Sequence, residues 1–232
     1  MTAALVVSRK SSVAGTSPET RLIVVGGVPG AGKTTAIAVV AREPGVRVLD
    51  PDQIRDRLKD LLPAGTLYRR YRSLVHLTHW VRVLIAVLTG PSRSVLVVHD
   101  PANRPVRRKL LVRLARGAGW QPTLLLIDVP RAAAETGQLV RGRVVKHPCF
   151  EGHWRRWSSL RAEITGGGGP LDSTAWVRIL MVDRSIAAAT LSAIAAGRPT
   201  PKSSNNSAAG GDRDDGLASG DAGAVPTRIY LG

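Results

Sequence analysis

Cysteine is almost absent from this chain: Cys149 is the only one in 232 residues. A lone thiol cannot build an intrachain disulfide framework, so packing must hold the fold, and a reducing compartment suits it. Long apolar runs are missing too. The longest, Val81 to Leu88, carries Arg82 and falls well short of the roughly 20 residues that a membrane-spanning helix needs. The opening MTAALVVSRKSS has too short an apolar run for a secretory signal, and its basic residues follow that run instead of preceding it. A soluble, cytoplasmic protein with no membrane partner is expected. Acidic residues are scarce as well: 17 stand against 33 basic ones, a net charge of +16. The segment after Ala196 is neutral, so the excess lies in the part that folds. Such a field favours polyanions, namely nucleotides, phosphorylated metabolites or nucleic acid. The basic residues are 27 Arg to 6 Lys in an Ala-, Val- and Gly-rich chain, which a GC-rich coding bias would also produce.

What the sequence does have is concentrated in Arg21 to Thr35, RLIVVGGVPGAGKTT. Arg21 to Val25 reads as a buried strand, and the residues from Lys33 onward suit a helix. Between them Gly27 to Thr34 matches G-x-x-x-x-G-K-[ST] without a mismatch. The glycines let successive backbone N–H groups converge on one anion, and the helix N-terminus adds its positive end there. Gly27, Pro29, Gly30, Ala31, Gly32, Lys33, Thr34 and Thr35 are therefore the candidate nucleotide-binding residues. Lys33 reaches the β- and γ-phosphates of ATP, and the Thr34 hydroxyl holds Mg²⁺.

Residues 1–19 read as a flexible leader, 20–196 as one domain, and 197–232 as a disordered tail of low complexity. Further strands are expected at Val46–Leu49, Ser94–Val98, Thr123–Ile127 and Trp176–Val182. Helices are expected from Asp50 to about Leu62, with Asp50 as N-cap and Pro51 at the first helical position, and at Thr66–Thr89, Pro105–Arg116, Arg131–Lys146, His153–Ile164 and Ser185–Ala196. Five buried strands alternating with helices imply a doubly wound five-stranded parallel sheet, a three-layer α/β/α P-loop NTPase fold with its ligand at the strand C-termini. In the long helix, Leu67, Tyr71, Leu74, Thr78, Val81, Leu84, Ile85 and Leu88 share one face, and Arg69, Arg72, His76, His79 and Arg82 another.

Acidic groups follow the strands. Asp52 and Arg55 stand at i,i+3 on a helix opening at the ligand edge, so Asp52 can take a hydroxyl proton while Arg55 holds an anionic acceptor. Alternatively they complement the helix dipole and pair with each other, with Asp50 serving as a cap. Asp100 ends a strand where a carboxylate can hold Mg²⁺, or else Asp100 or Asn103 caps the next helix. Arg141 and Arg143 lie in a basic segment, about 131–146, that can close as a lid over the transferred phosphoryl group, with Gly137 and Gly142 permitting movement. Trp154 and Trp157 either pack on the core or stack on bases.

GGVPGAGKTT, the D-x-x-R unit of Asp52 to Arg55, and Asp100-Pro101-Ala102-Asn103 together resemble the P-loop kinases of the polynucleotide kinase and zeta-toxin type, proteins broadly labelled AAA-family ATPases. The resemblance spans about residues 21 to 185. It implies Asp52 as general base, Arg55 as holder of the acceptor's phosphate, and Asp100 and Asn103 in the acceptor pocket. The expected activity is transfer of the γ-phosphate of ATP to a hydroxyl of an anionic small molecule or a nucleic-acid end, including a toxin-like kinase of a nucleotide sugar. The alternative is an ATPase or nucleotide-dependent switch that binds a nucleic-acid or protein partner.

Overall fold

The computed structural model describes the backbone of residues 5–8 and residues 20–91, 94–100, 105–142, 145, 147–166 and 175–200. Its strands are β1 (Leu5–Ser8), β2 (Arg21–Gly26), β3 (Val46–Leu49), β4 (Val95–His99), β5 (Gln121–Asp128) and β6 (Arg178–Asp183). Its helices are α1 (Lys33–Val40), α2 (Pro51–Leu61), α3 (Tyr68–Leu88), α4 (Pro105–Gly117), α5 (Arg131–Val140), α6 (His147–Thr165) and α7 (Arg184–Ala195).

The sheet order is β1-β6-β5-β2-β4-β3. The five strands from β2 to β6 pair in parallel, with Arg21 of β2 opposite both Val95 and Gln121. This is the expected doubly wound core. One strand is additional. Leu5–Ser8 runs antiparallel along β6, with Leu5 opposite Met181 and Ser8 opposite Arg178, so the expectation of a loose leader fails for these four residues. An edge strand needs only backbone pairing on one side, and Leu-Val-Val is enough for that.

The chain leaves β2 for the β3 edge, returns to β4, and then crosses to β5 on the other side of β2. The direction reverses around β2, which opens a crevice at its C-terminal end. Leu22, Ile23, Val24 and Val25 are fully buried, which explains their unbroken apolar run: helices cover both faces of the sheet. No helix among the described residues is long and apolar enough to cross a membrane.

Three helices differ from their expected form. α5 ends at Val140 and not at Lys146, with Gly142 in a left-handed turn just beyond it. α6 begins at His147, six residues earlier than expected, because Pro148 falls in the first turn, where its missing N–H costs nothing. In α3 the buried side chains are Tyr71, Val75, His79, Val83, Ala86 and Val87, while Leu74, Val81, Ile85 and Leu88 face outward. The apolar stripe exists, but the helix is seated on a neighbouring one. Tyr71 and Val75 join Ile54 in a small cluster under α2, and Trp120 packs beneath the far end, donating its Nε1–H to Val87 O at 3.0 Å.

Candidate active site

The loop from Gly27 to Thr34 joins β2 to α1 as the motif requires. Gly27, Gly30 and Gly32 have φ of 149°, 86° and 97°. Gly30 is also hemmed in: a Cβ there would lie 2.0 Å from Ala134 O of α5. Gly137 of α5 meets the same loop from the other side, where a Cβ would stand 2.4 Å from Gly30 O. Gly137 is thus a contact glycine that seats α5 on the loop, not the hinge expected of it. Gly142, with φ 60° and open surroundings, forms the turn after α5.

Lys33 is 7% exposed, and its Nζ donates to Gly27 O and Val28 O, each at 2.8 Å. The ammonium therefore lies across the loop mouth. Burial lowers its pKa to about 8, with Asp100 and Asp50 pulling upward and Arg141 adding to the decrease. Both strand-end aspartates and the arginine that caps α5 are therefore in electrostatic reach of Lys33. Arg184, in the first turn of α7, ties the loop from outside. Its Nη2 donates to Gly30 O and to Ala133 O at 3.0 Å, and its Nε to Ala31 O at 3.3 Å. Sequence reading passed over Arg184, although its place at the C-terminal end of β6 is a position where site residues gather.

Asp50 is the N-cap of α2. Its Oδ1 accepts from Asp52 N at 2.8 Å, and Gln53 reaches back to the Asp50 N–H to complete a capping box. Its Oδ2 accepts from His99 Nδ1 at 3.1 Å, so this cap also locks the start of α2 to the end of β4. Burial pushes the Asp50 carboxyl up, but the hydrogen bond and charge of His99, with the Asp52 N–H, outweigh it and hold the group below the usual carboxylate range. His79 Nε2 bonds His99 O at 3.2 Å, and burial takes the His79 pKa down to about 4, so the ring is neutral near pH 7.

Asp52 and Arg55 lie 3.7 Å apart, the pairing that the alternative reading describes, and the Arg55 guanidinium lies 5.0 Å over the Tyr68 ring. Asp100 instead has a partner the sequence did not suggest: its Oδ2 accepts from Nε of Arg108 at 3.3 Å, and Arg108 is only 4% exposed. Asn103 and Arg143 lie outside the described residues. His76 and His79 do not form a metal site; no cluster of His, Cys, Asp and Glu suited to one occurs among the described residues. Trp157 is buried and donates to Asp128 Oδ1 at 3.3 Å, and Trp154 packs against the core, so the pair belongs to the packing reading.

Beside β4 lies a cavity of about 500 Å³. Arg72, His76, His79 and Trp80 of α3, His99 and Asp100 of β4 and its end, Arg107 and Arg108 of α4, and His153 of α6 line it. Asp52 and Arg55 do not line it. His153 is neutral near pH 7: burial lowers its pKa to about 4, and the positive charges of Arg156, Lys33 and Arg72 push the same way. α6 is anchored by Asp128 at the end of β5, which holds Trp157 and, at 3.1 Å, Arg161. Burial raises the Asp128 pKa in spite of both. No sequence signal distinguished His153, since a lone histidine on a helix otherwise reads as surface.

A hard cation would find two oxygen donors here, the Thr34 hydroxyl beside Lys33 and the Asp100 carboxylate whose charge acts on Lys33. That is a sparse set, of the kind Mg²⁺ completes with water and phosphate oxygens.

The family model described as an AAA domain matches residues 22–162, more than half of the chain. The chain belongs to the AAA domain family. The matched span of the AAA domain runs from β2 into α6 and so contains the loop, the α2 unit and the cavity. The solved structure of the PezAT chromosomal toxin–antitoxin system of Streptococcus pneumoniae is similar, with 19% identity, a TM-score of 0.51, and coverage of 73% of this chain and 69% of that one. A gluconokinase from Sinorhizobium meliloti matches at 17% identity and a TM-score of 0.45, covering 78% of this chain and 95% of its own. The PezAT likeness is one of fold, and it agrees with the three-layer α/β P-loop architecture implied by the motifs. No curated protein matches the chain.

Proposed function

We propose that this protein transfers the γ-phosphate of ATP to a hydroxyl group of an anionic acceptor, a small molecule or a nucleic-acid end. The observation that carries the reading is a complete phosphate loop at the C-terminal end of β2, with a basic cavity at the end of the neighbouring strand β4. Incoming phosphates replace the two loop carbonyls as partners of Lys33, and the loop N–H groups hold the β- and γ-oxygens. Mg²⁺, held by Thr34 and Asp100, would neutralise phosphate charge when bound. Arg141 sits where charge builds up on the moving phosphoryl group. The acceptor oxygen forms its bond to the γ-phosphorus as the bond to the β–γ bridging oxygen breaks, ADP departs, and Asp52 takes the hydroxyl proton. Arg55, paired with Asp52 outside the cavity, would hold an anionic group on the part of the acceptor that extends beyond the cavity. Trp157 is buried and Trp154 packs against the core, which gives no support to the base stacking that the switch reading drew on.

The test is product formation. Incubation with γ-labelled ATP and a panel of nucleosides, 5′-hydroxyl oligonucleotides, sugars and nucleotide sugars should label one acceptor class. Release of inorganic phosphate alone, with no labelled acceptor, supports the ATPase instead. Asp52→Asn should abolish transfer and leave ATP affinity nearly intact; lost ATP binding would remove Asp52 from the base role.

A further inference from the structure

Two residues in the wall of the cavity beside β4 each carry a buried polar atom with no hydrogen-bond partner among the described residues: Nη2 of Arg108 and Nδ1 of His79. Arg108 is 4% exposed and His79 7%. Folded proteins seldom leave such atoms unpaired, because the water lost on burial is not replaced. The two atoms need opposite partners. Arg108 is held through its Nε, which donates to Asp100 Oδ2, so Nη2 remains as a charged donor. His79 is held through its Nε2, which bonds His99 O. A carbonyl oxygen only accepts, so Nε2 carries the proton of the neutral ring and Nδ1 is a bare acceptor.

We propose that the cavity takes a small hydroxylated anion, a phosphate ester of a polyol or a sugar acid, whose oxyanion meets Arg108 Nη2 and whose hydroxyl donates to His79 Nδ1. A neutral sugar would leave Nη2 unpaired, and an anion without a hydroxyl would leave Nδ1 unpaired. A ligand with both groups satisfies both atoms. Charge supports the anion: Arg72, Arg107 and Arg108 share the wall with one carboxylate among the described residues, Asp100, which is already paired with Arg108. A volume of about 500 Å³ lies within the range of small-molecule sites. A nucleobase is poorly served there. Trp80, the one indole among the described residues of the wall, packs against the core and has the Arg107 guanidinium 5.5 Å over its ring. That this ligand is the phosphate acceptor rests on the reaction proposed above; that it binds does not.

Calorimetry on the full chain without ATP tests this. The probes are ribose 5-phosphate and glucose 6-phosphate, ribonate and gluconate, the neutral sugars ribose and glucose, and inorganic phosphate and acetate as anions without a carbon-borne hydroxyl. At least one of the first four should bind about tenfold or more tightly than its neutral sugar and than the matching simple anion, and the arm that wins identifies the oxyanion as phosphate or carboxylate. Arg108→Lys keeps a charge for Asp100 and loses the second arm of the guanidinium; it should weaken that binding about 10- to 100-fold. His79→Gln keeps a donor for His99 O and loses the Nδ1 acceptor; it should weaken binding about three- to tenfold. The proposal is overturned if none of the four outbinds its neutral sugar, if the simple anion binds as tightly, or if Arg108→Lys binds like the wild type. Binding of a hydroxylated anion that is never phosphorylated would leave this site standing and sink the reaction. Phosphorylation of an oligonucleotide end by a protein that binds none of the four would do the reverse.

Discussion

The phosphate loop and the basic cavity lie side by side and are built in different ways. The loop is one contiguous stretch whose working groups are largely backbone atoms, with α5 and Arg184 pressed against it. The cavity is assembled from side chains on α3, β4, α4 and α6, drawn from positions as far apart as Arg72 and His153. Backbone sites are unforgiving, because a single Cβ displaces the atoms that bind. Side-chain sites lose affinity one contact at a time, and under the proposed reaction that would make the acceptor the part free to vary.

Three experiments would break or sharpen this contrast. The largest effect is expected from Gly30→Val, which forces the loop and α5 apart. ATP binding by calorimetry should weaken by more than about a hundredfold, since misplacements near 1 Å can cost that much. Unchanged affinity would mean that α5 does not constrain the loop. Next comes pH. Phosphate binding favours the charged form of Lys33, whose pKa near 8 in the free protein sets the limit. ATP affinity should be flat below about pH 7 and fall up to about tenfold per unit above 8. Lys33→Arg should flatten that dependence, because guanidinium stays protonated. The smallest effect belongs to the cavity. Arg72→Ala or Arg107→Ala should each raise the acceptor KM by about 10- to 100-fold, the worth of a charged hydrogen bond, while leaving ATP affinity unchanged. A parallel loss of ATP affinity would merge the two halves into one site.

How much could be read in the sequence follows the same division. Gly27 to Thr34, the five parallel strands and the cap at Asp50 all depend on residues close together in the chain, and these were legible. The pairing of Asp100 with Arg108, the lock between Asp50 and His99, and the gathering of Arg72, Arg107 and His153 around one cavity depend on how helices settle on the sheet. Local spacing does not encode that. α3 shows the limit well: its strongest periodic stripe was visible, but periodicity cannot say whether a stripe faces the core or the outside, and Leu74, Val81, Ile85 and Leu88 are exposed. Gly137 shows another. A glycine in a helix reads as a flexible point, yet here the missing Cβ makes room for Gly30 O.

Trp80 gives the molecule an optical readout. Its ring lies 5.5 Å from the Arg107 guanidinium, and both side chains line the cavity. None of the other four indoles, Trp120, Trp154, Trp157 and Trp176, lines the cavity. A molecule that enters the cavity and draws Arg107 toward its own negative charge changes the surroundings of Trp80 and leaves the others as they were. Intrinsic fluorescence can therefore rank unlabelled acceptors before any turnover is measured.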